Sequence, residues 1–164
     1  MKKFFCLLIV FAVLLTGCNS AEAPSYDEQT AEAPKHSAVP IPDRSDELVE
    51  IKEKMFIAQT NDIYYNKEDY LGKTIKYEGL FNVYDVPEFE ENIYSVIRYG
   101  PGCCGNDSDA GFEVRWDKEY PNKNDWVEAV GILEQYEYEE MEYLRLALTS
   151  LTVLDVRGEE TVSQ

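Results

Sequence analysis

The sequence contains a single histidine, His36, which lies in a segment unsuited to a hydrophobic core. Histidine is the usual base that activates a serine or cysteine nucleophile. Without a histidine, the folded part of the chain has no Ser-His or Cys-His pair. Its carboxylates are too numerous to single out one acid–base pair. We therefore predict that the protein is not an enzyme.

Basic residues are also scarce. Lysine and arginine number 15 against 32 aspartates and glutamates, giving a formal charge of −17. Such a surface repels phosphate backbones and anionic headgroups. We therefore predict no nucleic-acid partner, whereas cations and basic peptides are electrostatically easier to bind.

Long hydrophobic runs are absent apart from Phe4–Leu15, which is too short to span about 30 Å of hydrocarbon as a helix. Lys2 and Lys3 precede this run, so residues 1–17 are predicted to be a secretory signal. The alternative is an ordinary cleaved signal or an uncleaved anchor. The ending Leu15-Thr16-Gly17-Cys18 resembles the lipobox of bacterial lipoproteins. That resemblance implies an acylated Cys18, labelled by palmitate, and a domain held on the cell membrane facing outside the cytoplasm.

Cysteine is scarce in the expected mature domain. Of four cysteines, Cys6 leaves with the signal and Cys18 carries lipid, so Cys103 and Cys104 remain. A long-range disulfide framework is therefore excluded. Residues 18–45 contain Ala-Glu-Ala-Pro twice and few large apolar side chains, which predicts a flexible tether.

The remaining chain predicts a mainly β domain over residues 46–156 and a disordered tail over 157–164. Ser45-Asp46-Glu47-Leu48 is typical of a helix start, followed by Ile51 and Met55 at helical spacing. Residues 56–63 either finish this helix or start a strand.

After Gly72 the apolar residues alternate with polar ones, which indicates half-buried strands. Five are predicted, near residues 74–81, 93–99, 111–116, 125–133 and 143–148. Gly79 and Gly131 lie inside strands and predict bulges or bends. A small five-stranded OB-like barrel with an N-terminal helix is the first interpretation; a two-sheet sandwich is the second.

The segment around Cys103 and Cys104 is the chemically unusual one. Its glycines predict a turn that brings both thiols near Asp107 and Asp109. Three interpretations stay open. The pair forms a strained vicinal disulfide, or binds zinc or copper(I) together with Asp107, or packs as two small thiols.

Four features together resemble an uncharacterised bacterial family: Asp69-Tyr70-Leu71-Gly72-Lys73, the Gly79 strand, Cys103-Cys104 with Asp107, and Trp126-Val127 with Gly131. Its members are extracytoplasmic OB-like domains of lipoproteins and of partner subunits of a proposed two-component permease. The resemblance implies a binding or accessory module with a membrane-protein partner. The alternative function is thiol redox or metal handling through Cys103 and Cys104.

Overall fold

The computed structural model describes residues 43–87, 92–103 and 105–163, with only the backbone described for residues 105–107. The predicted signal and lipidation site, most of the predicted tether, and Cys104 lie outside these residues. The elements, in chain order, are β1 Arg44–Glu50, a 3₁₀ turn Glu53–Met55, α1 Phe56–Tyr65, α2 Lys67–Tyr70, β2 Lys73–Tyr84, β3 Ile93–Gly102, β4 Gly105–Arg115, β5 Trp126–Tyr138 and β6 Met141–Val153.

Within the described residues, six strands form one mixed sheet in the order β1-β2-β3-β4-β6-β5, and β2 also pairs with β5. The pairs β2–β3, β3–β4, β5–β6 and β2–β5 are antiparallel. The pairs β1–β2 and β4–β6 are parallel. Each strand from β2 to β6 therefore has a neighbour on both sides. The prediction of a mainly β fold is confirmed.

The core is built from the apolar face of each alternating strand, as the period of two requires. The largest buried side chains are Trp126, Tyr77, Phe56, Phe81 and Phe112. Helix α1 adds the buried residues Phe56, Thr60 and Ile63, which are spaced so that one helical face meets the sheet.

Gly79 and Gly131 allow close approach between strands. A Cβ at Gly79 would lie 2.7 Å from the Ile97 carbonyl oxygen, and one at Gly131 would lie 2.8 Å from the Ala147 carbonyl oxygen. The β5–β6 register shifts between Val130 and Gly131, which confirms the predicted irregularity at that glycine.

The predicted helix start at Ser45 is wrong, because residues 44–50 form β1 instead. This strand pairs in parallel with β2, with Leu48 opposite Thr74. The Glu47 carboxylate lies 3.0 Å from Lys73 Nζ. Leu48 and Met55, which we expected on an apolar face, are 60% and 50% exposed. The helix begins only at Phe56, which resolves the open choice for residues 56–63 in favour of a helix.

The C-terminal residues also differ from the predicted disordered tail. Thr161 forms a parallel bridge with Tyr99, and the Val162 amide donates to the Tyr99 carbonyl at 2.8 Å. Val162 is buried in the core. Residues 160–162 therefore pair with β3 at Tyr99.

A buried arginine fastens this C-terminal segment. Arg98 is 3% exposed, and its guanidinium lies between the Phe56 and Trp126 rings, at 5.0 and 4.8 Å from their centroids. It donates to the carbonyls of Glu78 and Glu159 and to the Glu53 carboxylate, at 2.8, 3.1 and 3.1 Å. The hydrogen bonds and rings together compensate for burying the charge.

Candidate functional site

The predicted thiol site lies at the tip of the β3–β4 hairpin. Gly102 pairs with Gly105, and Cys103 follows β3 directly at the connection between the two strands. Cys103 is exposed. Cys104 and the side chain of Asp107 lie outside the description, so the predicted grouping of these three residues stays a prediction.

Asp109, the other acid predicted to lie near the thiols, accepts a hydrogen bond from a tyrosine. The Tyr84 hydroxyl donates a hydrogen bond to the Asp109 carboxylate. Burial, and then this hydrogen bond, raise the pKa of Tyr84. In the part of the chain that the structure describes, no three His, Cys, Asp or Glu side chains group closely enough to hold a metal ion.

A second candidate site is a cleft of about 410 Å³ between the helices and strands β4, β5 and β6. Helices α1 and α2 supply one wall, and the β5–β6 hairpin supplies the other. We call it the Gln135 cleft. Its lining residues are Tyr64, Lys67, Glu113, Gln135, Glu142, Tyr143 and Leu144.

Gln135 is the unusual residue of this cleft, because its side chain is only 9% exposed. The structure gives its Oε1 atom no hydrogen-bond partner among the described residues. Gln135 lies close enough to Glu142 to help lower the pKa of that carboxylate, after the larger effects of Lys67. A buried acceptor left unpaired costs about 1–3 kcal/mol. A ligand that supplied the missing donor would remove this cost on binding.

Charged groups line the cleft on both walls. Lys67 Nζ lies 2.5 Å from a Glu142 carboxylate oxygen, and this contact lowers the pKa of Glu142. Glu113, another carboxylate of the lining, accepts a hydrogen bond from the Tyr136 hydroxyl at 2.5 Å. Two carboxylates therefore face one ammonium group.

Tyrosine rings supply the apolar surface of the cleft. The Tyr64 ring stacks on Phe112 with centroids 5.1 Å apart, and its hydroxyl donates to the Gly111 carbonyl at 2.9 Å. Burial of the hydroxyl, together with the Glu113 charge, raises the pKa of Tyr64 to about 12. Tyr143 stacks on Tyr136 at 5.4 Å. Both rings are thus held in fixed orientations.

The lining of the cleft combines polar and aromatic groups that can bind a ligand. The lining residues include two carboxylates, an amide, an ammonium and two phenols. The phenol of Tyr64 has a raised pKa and therefore keeps its proton. None of the lining residues is a serine or cysteine beside a base, the pairing that activates those two nucleophiles. What the cleft offers is an acceptor, opposite charges and aromatic faces.

Sequence patterns predicted part of this site. In the sequence, the acidic cluster over residues 134–142 is typical of a solvated hairpin between the last two predicted strands. The hairpin is confirmed, with its tip at Glu139 and Glu140. Its association with Tyr64 and Lys67 was missed, because these residues are about seventy positions away along the chain. The only local signal was a glutamine at a position facing the core.

Comparisons with known proteins give one match. The family described as the DUF1980 C-terminal domain matches residues 25–162, most of the chain. No curated protein and no solved structure matches this chain. Of the helices within the described residues, none has both the length and the hydropathy needed to cross a bilayer.

Proposed function

We propose that this chain, which belongs to the DUF1980 C-terminal domain family, is a non-enzymatic, membrane-anchored binding module outside the cytoplasm. The Gln135 cleft is its binding site. Acyl chains on Cys18 attach it to the membrane, and a membrane protein is its partner. The family match supports an uncharacterised domain, and the cleft supports binding.

The fold component of the proposal is an OB-like barrel. The support is the sequence of pairings, which runs from β2 through β3, β4, β6 and β5 and returns to β2. The parallel β4–β6 pair joins Glu113 to Arg145 and Arg115 to Ala147. Barrels of this kind bind oligonucleotides and oligosaccharides on their faces and loops. The acidic charge argues against the first of these.

One observation carries the binding function, namely the unpaired Oε1 of Gln135 in a lined cleft. Buried polar atoms are nearly always hydrogen-bonded, and each exception calls for an explanation. A ligand donor is the simplest explanation, because the Tyr64 hydroxyl and the Lys67 ammonium already have partners in Gly111 and Glu142.

The anchor component rests on the lipobox-like Leu15-Thr16-Gly17-Cys18 after a short apolar run. A single acyl chain gives only reversible membrane binding, so a second chain is needed for stable attachment. A lipoprotein carries such chains on one cysteine. This placement keeps the domain near a membrane-protein partner.

Ligand-observed saturation-transfer NMR tests the binding function. The full chain, in detergent micelles, is screened against small cationic, neutral and anionic fragments. We expect a subset to bind the wild-type protein and to lose binding in Gln135→Met, which preserves side-chain size but removes the acceptor. Glu137→Gln is the matched control, because Glu137 is exposed on the same hairpin and does not line the cleft. Identical binding by wild type and Gln135→Met would exclude the cleft as the site.

The second candidate is thiol redox or metal handling through Cys103 and Cys104. It is favoured by the exposed position of Cys103 at the tip of the β3–β4 hairpin. Intact mass with and without mild reductant detects a disulfide between them, and metal analysis detects zinc or copper(I). Two reduced thiols with no metal would eliminate this candidate.

A further inference from the structure

We propose that the Gln135 cleft binds an organic cation, an ammonium or guanidinium group carried on an alkyl chain. This inference rests on the proposed function and names the ligand class. The cation is either free as a small amine or part of a basic side chain in a peptide.

The first argument is the hydrogen-bonding requirement of Gln135. Its Oε1 has no partner within the described residues, and the residue is 9% exposed. Only a donor satisfies a carbonyl oxygen. Ammonium and guanidinium groups carry several N–H donors and no acceptor, so they match this atom and add none that needs pairing.

The second argument is charge. The cleft holds the carboxylates of Glu113 and Glu142 against the single ammonium of Lys67. The whole chain carries a formal charge of −17. A negative surface raises the local concentration of cations and repels anions. An anionic ligand would meet two carboxylates beside an unpaired carbonyl oxygen.

The third argument is that Lys67 already shows the contact a ligand would make. Its Nζ lies 2.5 Å from the Glu142 carboxylate, and the two side chains are 28% and 59% exposed. An exposed pair of this kind contributes little to stability, so exchange is inexpensive. A cationic ligand can replace Lys67 at Glu142 while it also reaches Gln135.

The fourth argument separates organic cations from metal ions. Tyr64 is 44% exposed and stacked on Phe112, and Tyr143 is stacked on Tyr136. Such aromatic faces attract organic cations. Leu144 adds apolar surface for an alkyl chain. A calcium ion instead takes six to eight oxygen ligands and has no use for aromatic faces or apolar surface, whereas two tyrosines and a leucine form part of this lining.

Calorimetric titration of the full chain in detergent micelles tests the inference. The probes are agmatine, the tripeptide acetyl-Gly-Arg-Gly-amide, neutral butanol and Ca²⁺. We expect the two cationic probes to bind and butanol not to bind. Preference for agmatine identifies a free amine as the source, and preference for the tripeptide identifies a basic peptide; either supports the inference.

Charge variants give predictions of opposite sign. Glu142→Gln should weaken agmatine binding by about fivefold, as for a partly exposed charge pair. Lys67→Gln removes the competing ammonium and should strengthen it. Glu137→Gln, whose carboxylate faces Glu142 across the hairpin but lies outside the cleft, should leave affinity within about twofold because exposed charges act weakly.

The two proposals fail in different ways. If fragments bind in a Gln135-dependent manner but are neutral or anionic, the binding function stands and the organic-cation inference is wrong. If Ca²⁺ binds and displaces agmatine, the inference is also overturned. If nothing binds in a Gln135-dependent manner, both proposals fail. Urea midpoints of all variants show whether lost binding reflects unfolding.

Discussion

The tip of the β5–β6 hairpin offers the sharpest stability test. Tyr138 pairs with Met141, so Glu139 and Glu140 form a two-residue turn. Their φ angles are 48° and 65°. Two positive φ values in a two-residue hairpin define a type I′ turn, which strongly prefers Asn-Gly. The predicted stabilising change is therefore Glu139→Asn combined with Glu140→Gly.

The expected gain follows from opposing backbone effects. A side chain in the left-handed region costs about 1–2 kcal/mol per residue. Asparagine tolerates that region better than glutamate, and glycine adopts it without a steric cost. Glycine also makes the unfolded chain more flexible, which cancels about 0.5–1 kcal/mol. We therefore expect the free energy of unfolding to rise by about 1 kcal/mol, or the melting temperature by about 4 °C.

Urea unfolding, followed by fluorescence of the buried Trp126, measures this gain. The control is Glu139→Gln with Glu140→Gln, which removes the same two charges but keeps both side chains. Because exposed charges contribute little, the control should gain less than about 0.5 kcal/mol. An equal gain in the two double variants would refute the backbone argument and attribute the effect to charge.

Three further predictions follow. Arg98→Met should lower the free energy of unfolding by about 3 kcal/mol in urea titrations, because it leaves buried carbonyls without a donor; an unchanged midpoint would contradict the assigned contacts. Cys18→Ala should abolish palmitate labelling in cells, whereas equal labelling of both forms would eliminate Cys18 as the acylation site. Acid should loosen β1: Arg44 and Lys73 lower the pKa of Glu47 from 4.5 to about 2. This carboxylate thus contributes fully above pH 4.5, and its contribution disappears as the pH falls toward 2. Urea midpoints at several pH values should depend less on pH in Glu47→Gln.

The strands could be predicted from sequence because their pattern reports a local property. Phe112 and Val114 are buried with Glu113 and Arg115 between them outside the core, as an alternating strand with one covered face requires. Gly131 likewise predicted an irregularity in its strand, and the neighbouring strand leaves no room for a side chain at this position. Such signals need only the residue and its immediate neighbours.

β1 could not be predicted in the same way. Leu48, Ile51 and Met55 repeat at helical spacing, but two of them are exposed, and the strand is held by pairing with β2 and by Lys73. Parallel pairing joins distant parts of a chain, so it leaves little local pattern. The Gln135 cleft was missed for the same reason, because its walls come from separate elements.

The contacts of Arg98 have a topological consequence. Through Glu53 and Glu159 they join the segment between β1 and α1 to the C-terminal segment, since the Glu159 amide also donates to the Glu53 carboxylate at 3.3 Å. The two segments thereby close a loop of the chain that contains strands β2 to β6. Truncation before Glu159 would leave the buried Arg98 guanidinium without one of its acceptors. The last residues of the domain are therefore part of its electrostatic balance.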